Sequence, residues 1–282
     1  MFLAEPPRTQ YDLNFEIAGI PVRIHPLFWL VGVILGAGGG SGVDGAGIVI
    51  WVGVLFISIL VHELGHAFTM RRFGERPRVV LYMMGGLAIA DSGWGMGKSS
   101  RNSFEQIVIS AAGPAAGFAL AGLVIALVYA GGGAVVFDVS HSYIQIWQIQ
   151  LERGMPWYES INDDNRYLFE VIHGMLYVNI FWGLVNLLPI YPLDGGQISR
   201  ELFAQGDPWE GVRKSLWLSF VTGAIVAVMA LMFLQSILMA VMFGALAYSS
   251  WQALQQIGGG GGFGGGGFGG GGGPWGGGRR PW

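Results

Sequence analysis

Two histidines four residues apart, with a glutamate directly after the first, are the residues of this chain best placed to do chemistry: His62-Glu63-Leu64-Gly65-His66. On a helix, such histidines lie about 40° apart around the axis and about 6 Å apart along it, so both imidazoles can bind one metal ion. Glu63 then sits beside that face. It can take a proton from a water on the metal, which is the arrangement of zinc-dependent hydrolases. The pattern also ends an apolar run, where ionisable side chains are costly and usually functional.

Two histidines leave a zinc ion one protein ligand short of a hydrolytic site. The chain has no cysteine, so the third ligand must come from His, Asp or Glu. Asp194, in Leu193-Asp194-Gly195-Gly196, is the candidate. It is expected to close an apolar helix, with Pro189 and Pro192 bending the chain just before it. Alone it reads as an interfacial aspartate at a turn; beside the histidine pair, ligation is the better reading.

The elements that hold these residues must lie in a lipid bilayer. Hydrophobic residues make up 52% of the chain and charged ones only 12%, about half the charged share of a soluble domain. A net charge of −3 gives no footprint for nucleic acid. Residues 1–20 lack the basic start and apolar stretch of a signal peptide.

Long uncharged stretches predict about six transmembrane helices. They begin with 26–43, followed by 45–70 with the histidine pair. Two more lie between Glu105 and Asp138 and between Glu170 and Asp194, and the last pair covers 216–234 and 237–255. The fold class expected is an all-α polytopic membrane protein. Segment 77–91 is β-branched and apolar around Gly85-Gly86 and predicts a small β-hairpin. Arginine and lysine concentrate in 71–103 and after Asp194, while 138–170 is acidic. This places the first two segments and the hairpin on the cytoplasmic side. Residues 1–257 form the membrane-embedded domain; 258–282, mostly glycine, read as a flexible tail.

The combination resembles the site-2 proteases, peptidase family M50. The likeness rests on His62–His66 in an early span, on Asn186-Leu187-Leu188-Pro189 with Pro192-Leu193-Asp194-Gly195-Gly196 in a later one, and on Gly113-Pro114-Ala115-Ala116-Gly117 between them. The resemblance implies zinc held by His62, His66 and Asp194, and Glu63 as catalytic acid and base. It implies that Asn186 holds substrate or oxyanion, against the plainer role of an interhelical hydrogen bond. It also implies intramembrane cleavage of transmembrane protein substrates. The location expected is a bacterial cytoplasmic membrane, with the site toward the cytoplasm. Neither a client nor an oligomeric state can be read from the chain. Segment 138–170 is too short for an inserted PDZ domain.

Two other function classes compete. A metal-binding membrane scaffold would bind clients without cutting, and the intact Glu63 argues against it. A metal transporter would place more polar residues along the spans, and few are found. The Gly113–Gly117 segment reads as a close-packing stretch and Asn179 as a structural hydrogen bonder. His25 reads as an interfacial anchor, and His141 and His173 fall on the side away from the site.

Overall fold

A computed structural model describes residues 5–37, 44–83, 85–90, 101–137, 147–150 and 165–258. The expected glycine tail beyond Gly258, His141 and most of segment 138–170 lie outside these residues.

Among the described residues, five helices are long and apolar enough to cross a membrane: α2 (Gly45–Arg72), α3 (Ser103–Ala130), α4 (Arg166–Asn186), α6 (Pro208–Met232) and α7 (Ile237–Gly258). The first expected span is represented by α1 (Pro26–Ala37), only 12 residues long, and 38–43 are outside the description. A further helix, α5 (Asp194–Ala204), is short and follows α4 after a break.

Local chemistry explains where these helices begin. Asp44 caps α2, its carboxylate accepting the Gly47 amide at 2.7 Å. Asn102 and Glu105 form a reciprocal capping box at the start of α3. Asp207 caps α6, with Pro208 just inside the first turn. Arg71 and Arg72 close α2, where cations oppose the negative end of the helix dipole.

The sheet is larger than the expected hairpin. β3 (Pro77–Tyr82) and β4 (Gly85–Ala90) pair antiparallel as anticipated, with two residues between them. Two strands from the N-terminus, β1 (Leu13–Ile17) and β2 (Ile20–Ile24), extend the sheet in the order β1-β2-β3-β4. β2 runs parallel to β3, which requires a crossover through α1 and α2. Ile20, Val22 and Ile24 alternate inward and join Val79 and Leu81 in one core with Phe28 of α1 and Ile59 of α2. Each such side chain contributes about 1.5–3 kcal/mol when fully buried.

Arg23 points away from that core and is anchored by Asp12 at 2.9 Å and Glu5 at 3.0 Å. A second small sheet, β5 (Ala134–Phe137) with β6 (Trp147–Gln150), follows the far end of α3. The four-stranded sheet follows the end of α2 that carries the histidines. It leaves β4 as an edge strand there.

Candidate active site

His62, Glu63 and His66 lie in the last three turns of α2, each less than a tenth exposed. At 1.5 Å per residue, His66 sits about 9 Å from the helix end at Arg72. That depth is inside the apolar span and close to its arginine-bearing end.

Asp194 arrives by a route the sequence reading did not foresee. It opens α5 and does not close α4. The fourth span stops at Asn186, and residues 187–193 form an irregular connection. Pro189 and Pro192 lack the amide hydrogens that a continuing helix would need. Gly195 and Gly196 let the start of α5 fold back on that connection. A Cβ at Gly195 would stand 2.1 Å from the Leu187 carbonyl oxygen, and one at Gly196 would stand 2.5 Å from the Ile190 backbone. The return turns the Asp194 carboxylate into the histidine pair.

The three side chains converge. His62 Nε2 and His66 Nε2 are 3.1 Å apart. Asp194 Oδ2 is 3.2 Å from His62 Nε2, and Oδ1 is 3.4 Å from His66 Nε2. A tetrahedral ion with bonds of about 2.0–2.1 Å would hold its ligand atoms roughly 3.3–3.4 Å apart. His66 Nδ1 lies 2.7 Å from the Ile109 carbonyl oxygen, which can only accept. The ring proton is therefore on Nδ1, and Nε2 offers a lone pair to the shared point, a common outer-shell device at metal sites. Asp194 Oδ2 is buried with no hydrogen-bond partner. A cation held by His62, His66 and Asp194 would satisfy it.

Gly113 supplies the space. A Cβ there would fall 2.2 Å from His66 Nε2 and 2.8 Å from His62 Nε2, filling the point on which the ligand atoms converge. The sequence reading assigned Gly113–Gly117 to helix packing. That holds for neighbouring contacts, since a Cβ on Gly65 would meet the Ala112 carbonyl oxygen at 2.5 Å. It missed that Gly113 faces the histidines themselves. The Gly-Pro-Ala-Ala-Gly run was the available signal, but it could not say which glycine faced what.

A cavity of about 270 Å³ opens on this group, and His62, Glu63, His66, Asn186 and Asp194 all line it. Glu63 lies against the edge strand: a Cβ at Gly86 would be 2.2 Å from Glu63 Cγ, and the Ala88 amide is directed at the Glu63 carboxylate. Asn186, the last residue of α4, makes no side-chain hydrogen bond among the described residues and faces the cavity. Asn179 behaves differently. It donates to Ser58 Oγ and to the Met175 carbonyl, both at 2.8 Å, inside a one-turn π-helical stretch at Val178–Trp182. That turn also brings Trp182 to the cavity wall; single π turns are common near functional sites.

Across the mouth, Arg101 is held by Glu75 at 2.6 Å and donates to Gln106, which donates to Gln197 at 3.0 Å. This belt ties the N-terminus of α3 to α5. The sequence reading did not single out Gln106 or Gln197.

Residues 50–234 match the sequence profile of peptidase family M50. The chain belongs to peptidase family M50. It is 26% identical over 224 residues to a zinc metalloprotease of Methanocaldococcus jannaschii, covering 78% of this chain and 52% of that protein. It is 29% identical over 189 residues to Rip3 of Mycobacterium tuberculosis, covering 65% of this chain and 34% of that one. This M50 chain thus spans between a third and a half of the length of these curated relatives. A site-2 protease from M. jannaschii of known structure aligns over 86% of this chain and 95% of its own, with 21% identity and a TM-score of 0.48.

The other two described histidines, His25 and His173, make their contacts elsewhere. His25 Nδ1 accepts the Leu27 amide at 3.2 Å and caps α1. His173 lies along α4 beside Phe169 and Tyr177.

Proposed function

We propose that this M50 chain is an intramembrane zinc metalloendopeptidase that cleaves transmembrane protein substrates. The observation that carries the reading is the convergence of His62, His66 and Asp194 on one point that Gly113 keeps open, inside an apolar span. His62, His66 and Asp194 would hold the ion. A zinc ion bound there acidifies water and polarises a carbonyl.

The rest of the chemistry falls to the chain's own side chains. Glu63 takes a proton from water and returns it to the leaving amine. Asn186, with its amide uncommitted, binds the scissile carbonyl as negative charge develops on its oxygen. β4 holds the substrate in extended form. A helix hides its amides in its own hydrogen bonds, so a transmembrane substrate must unwind to be cut, and an edge strand supplies replacement partners.

The register supports this role. With a two-residue loop, Tyr82 and Gly85 form the closing hydrogen-bonded pair, so Gly86, Ala88 and Ala90 turn their backbone groups to the open edge. Gly86 and Ala88 line the cavity beside Glu63.

Charge supports an orientation with the site toward the cytoplasm: Arg71, Arg72, Arg78 and Arg101 lie in the segments next to the histidine-bearing end of α2. Residues 1–257 act as the membrane domain.

The test is Glu63→Gln in purified protein with a single-span reporter substrate. Cleavage should fall by about 10²–10⁴-fold, with zinc content unchanged. Undiminished cleavage would refute the assignment of Glu63. Zinc-free active protein would refute the metal centre.

A further inference from the structure

The connection that delivers Asp194 is hooked to two membrane-spanning helices by buried hydroxyls. Between Pro189 and Pro192, only Ile190 and Tyr191 carry an amide hydrogen. The Ile190 amide turns back on the Leu188 carbonyl at 2.7 Å. The Tyr191 amide reaches across to Ser219 Oγ of α6, also at 2.7 Å. Ser219 Oγ is 2.7 Å from Ser250 Oγ of α7, and Ser250 donates to the Leu246 carbonyl at 3.1 Å. Both serines are essentially inaccessible, at 0% and 1% exposure.

One proton arrangement satisfies every atom. Ser250 spends its hydrogen on Leu246, so Ser219 must donate to Ser250, which leaves a Ser219 lone pair for the Tyr191 amide. Hydroxyls buried between apolar spans need such partners, because no water is present to replace them. Gly223 tightens the same interface one turn on, where a Cβ would stand 3.1 Å from Ala247 Cβ.

Resting on the reading of Asp194 as a metal ligand, we propose that Ser219 is a positioning residue for it. Ser219 fixes Tyr191, Tyr191 fixes the turn through Leu193, and the turn aims the Asp194 carboxylate at the two imidazoles. The α6–α7 pair thereby sets the geometry of a metal site to which it contributes no ligand.

Ser219→Ala and Ser250→Ala separate this from ordinary packing. Each removes one buried hydroxyl from the same interface, but only the first removes the oxygen that accepts the Tyr191 amide. Without Ser250, the Ser219 hydrogen can turn to a carbonyl of its own helix and keep the hook. Zinc affinity of full-length protein is measured by competition with a chromophoric chelator, alongside the unfolding temperature of the zinc-free protein.

Ser219→Ala should bind zinc about tenfold more weakly, the lower end of what outer-shell partners of a metal contribute, and Ser250→Ala should stay within about twofold of the parent. Equal affinity in Ser219→Ala and the parent overturns the proposal, and so does an equal loss in both variants. If Ser219→Ala fails to fold, Ser219→Cys keeps the volume with a weaker acceptor; an intermediate loss supports the hook and parental affinity sinks it. Parent protein that binds no zinc overturns the metal-site reading together with this one.

Discussion

Gly113 stands against His66 so closely that a Cβ on the glycine would lie 2.2 Å from the imidazole Nε2. Atoms at that separation cannot coexist unbonded, so any side chain at 113 must displace the histidine or occupy the ion's place. Gly113→Ala is therefore expected to insert and fold, because its partners on α2 can shift by a rotamer, yet to lose zinc. Zinc per chain, measured by mass spectrometry of purified protein, should fall below a tenth of the parent value. This is the scale of outer-shell effects on metal affinity, about 10–100-fold. Stoichiometric zinc in the variant would show that the ion sits elsewhere.

Gly86 makes the companion case on the other side of the cavity. A Cβ there would overlap Glu63 Cγ at 2.2 Å, and its three nearest atoms all belong to Glu63. Gly86→Ala should keep its zinc and lose cleavage by about a hundredfold, as expected when a general base is misplaced. Parallel loss of zinc would mean that the strand supports the whole site and not Glu63 alone.

Asn186 and Asn179 lie on one helix and part company in their hydrogen bonds. Asn179 is tied to Ser58 and Met175, so Asn179→Ala should lower the unfolding temperature. Leaving buried partners unsatisfied costs about 1–3 kcal/mol. Asn186→Ala removes no side-chain hydrogen bond among the described residues. Its stability should be unchanged while kcat drops by about 10²–10³-fold, the scale of a lost oxyanion donor. The opposite pattern would exchange the two roles.

The N-terminal strap should come loose in acid. The Thr9 hydroxyl and the Arg23 guanidinium beside Asp12 hold its carboxyl down at about 2, from the usual 3.8. A carboxyl depressed in the folded state adds stability above its unfolded pKa and loses it as pH falls through the folded one. Hydrogen exchange in β2 should therefore be constant from neutral pH to about pH 4 and accelerate toward pH 2 once corrected for intrinsic rates. Asp12→Asn should exchange faster at neutral pH and lose this dependence. Identical profiles for the two proteins would rule the strap out as an acid-sensitive contact.

Topology is open to direct measurement. A reporter joined after Arg101 should read cytoplasmic, and one near Asp163 should read external, because lysine and arginine set orientation. The reverse readings would move the site to the other face of the membrane.

What could be read from the sequence was what a single helix decides. His62, Glu63 and His66 are fixed relative to one another by helical geometry alone, so their spacing was enough. Asp194 was identifiable by residue type. Its element was not, because the break at 187–193 depends on glycines packing against carbonyls that no pattern places in space. Gly86 and Gly113 escaped notice as site residues because their contribution is the absence of atoms opposite a distant partner. β1 and β2 carry a period-two pattern from Ile20 to Ile24, but β2's partner beyond β1 lies past two membrane helices, and local pattern cannot supply a parallel pairing.

The parallel pairing of β2 with β3 also dictates an order of events during synthesis. β2 leaves the ribosome before either α1 or α2, yet its partner strand emerges only after both. The full sheet must wait until α2 has been made, since a chain is made from its N-terminus and pairs only with what already exists. Asp194 comes later still, so a nascent chain halted after α3 would carry two histidines and an assembled sheet with no carboxylate to complete the site. The proposed metal site is thereby incomplete while the protein is being made, and its three side chains can meet only after the third long helix, α4, has been followed by α5.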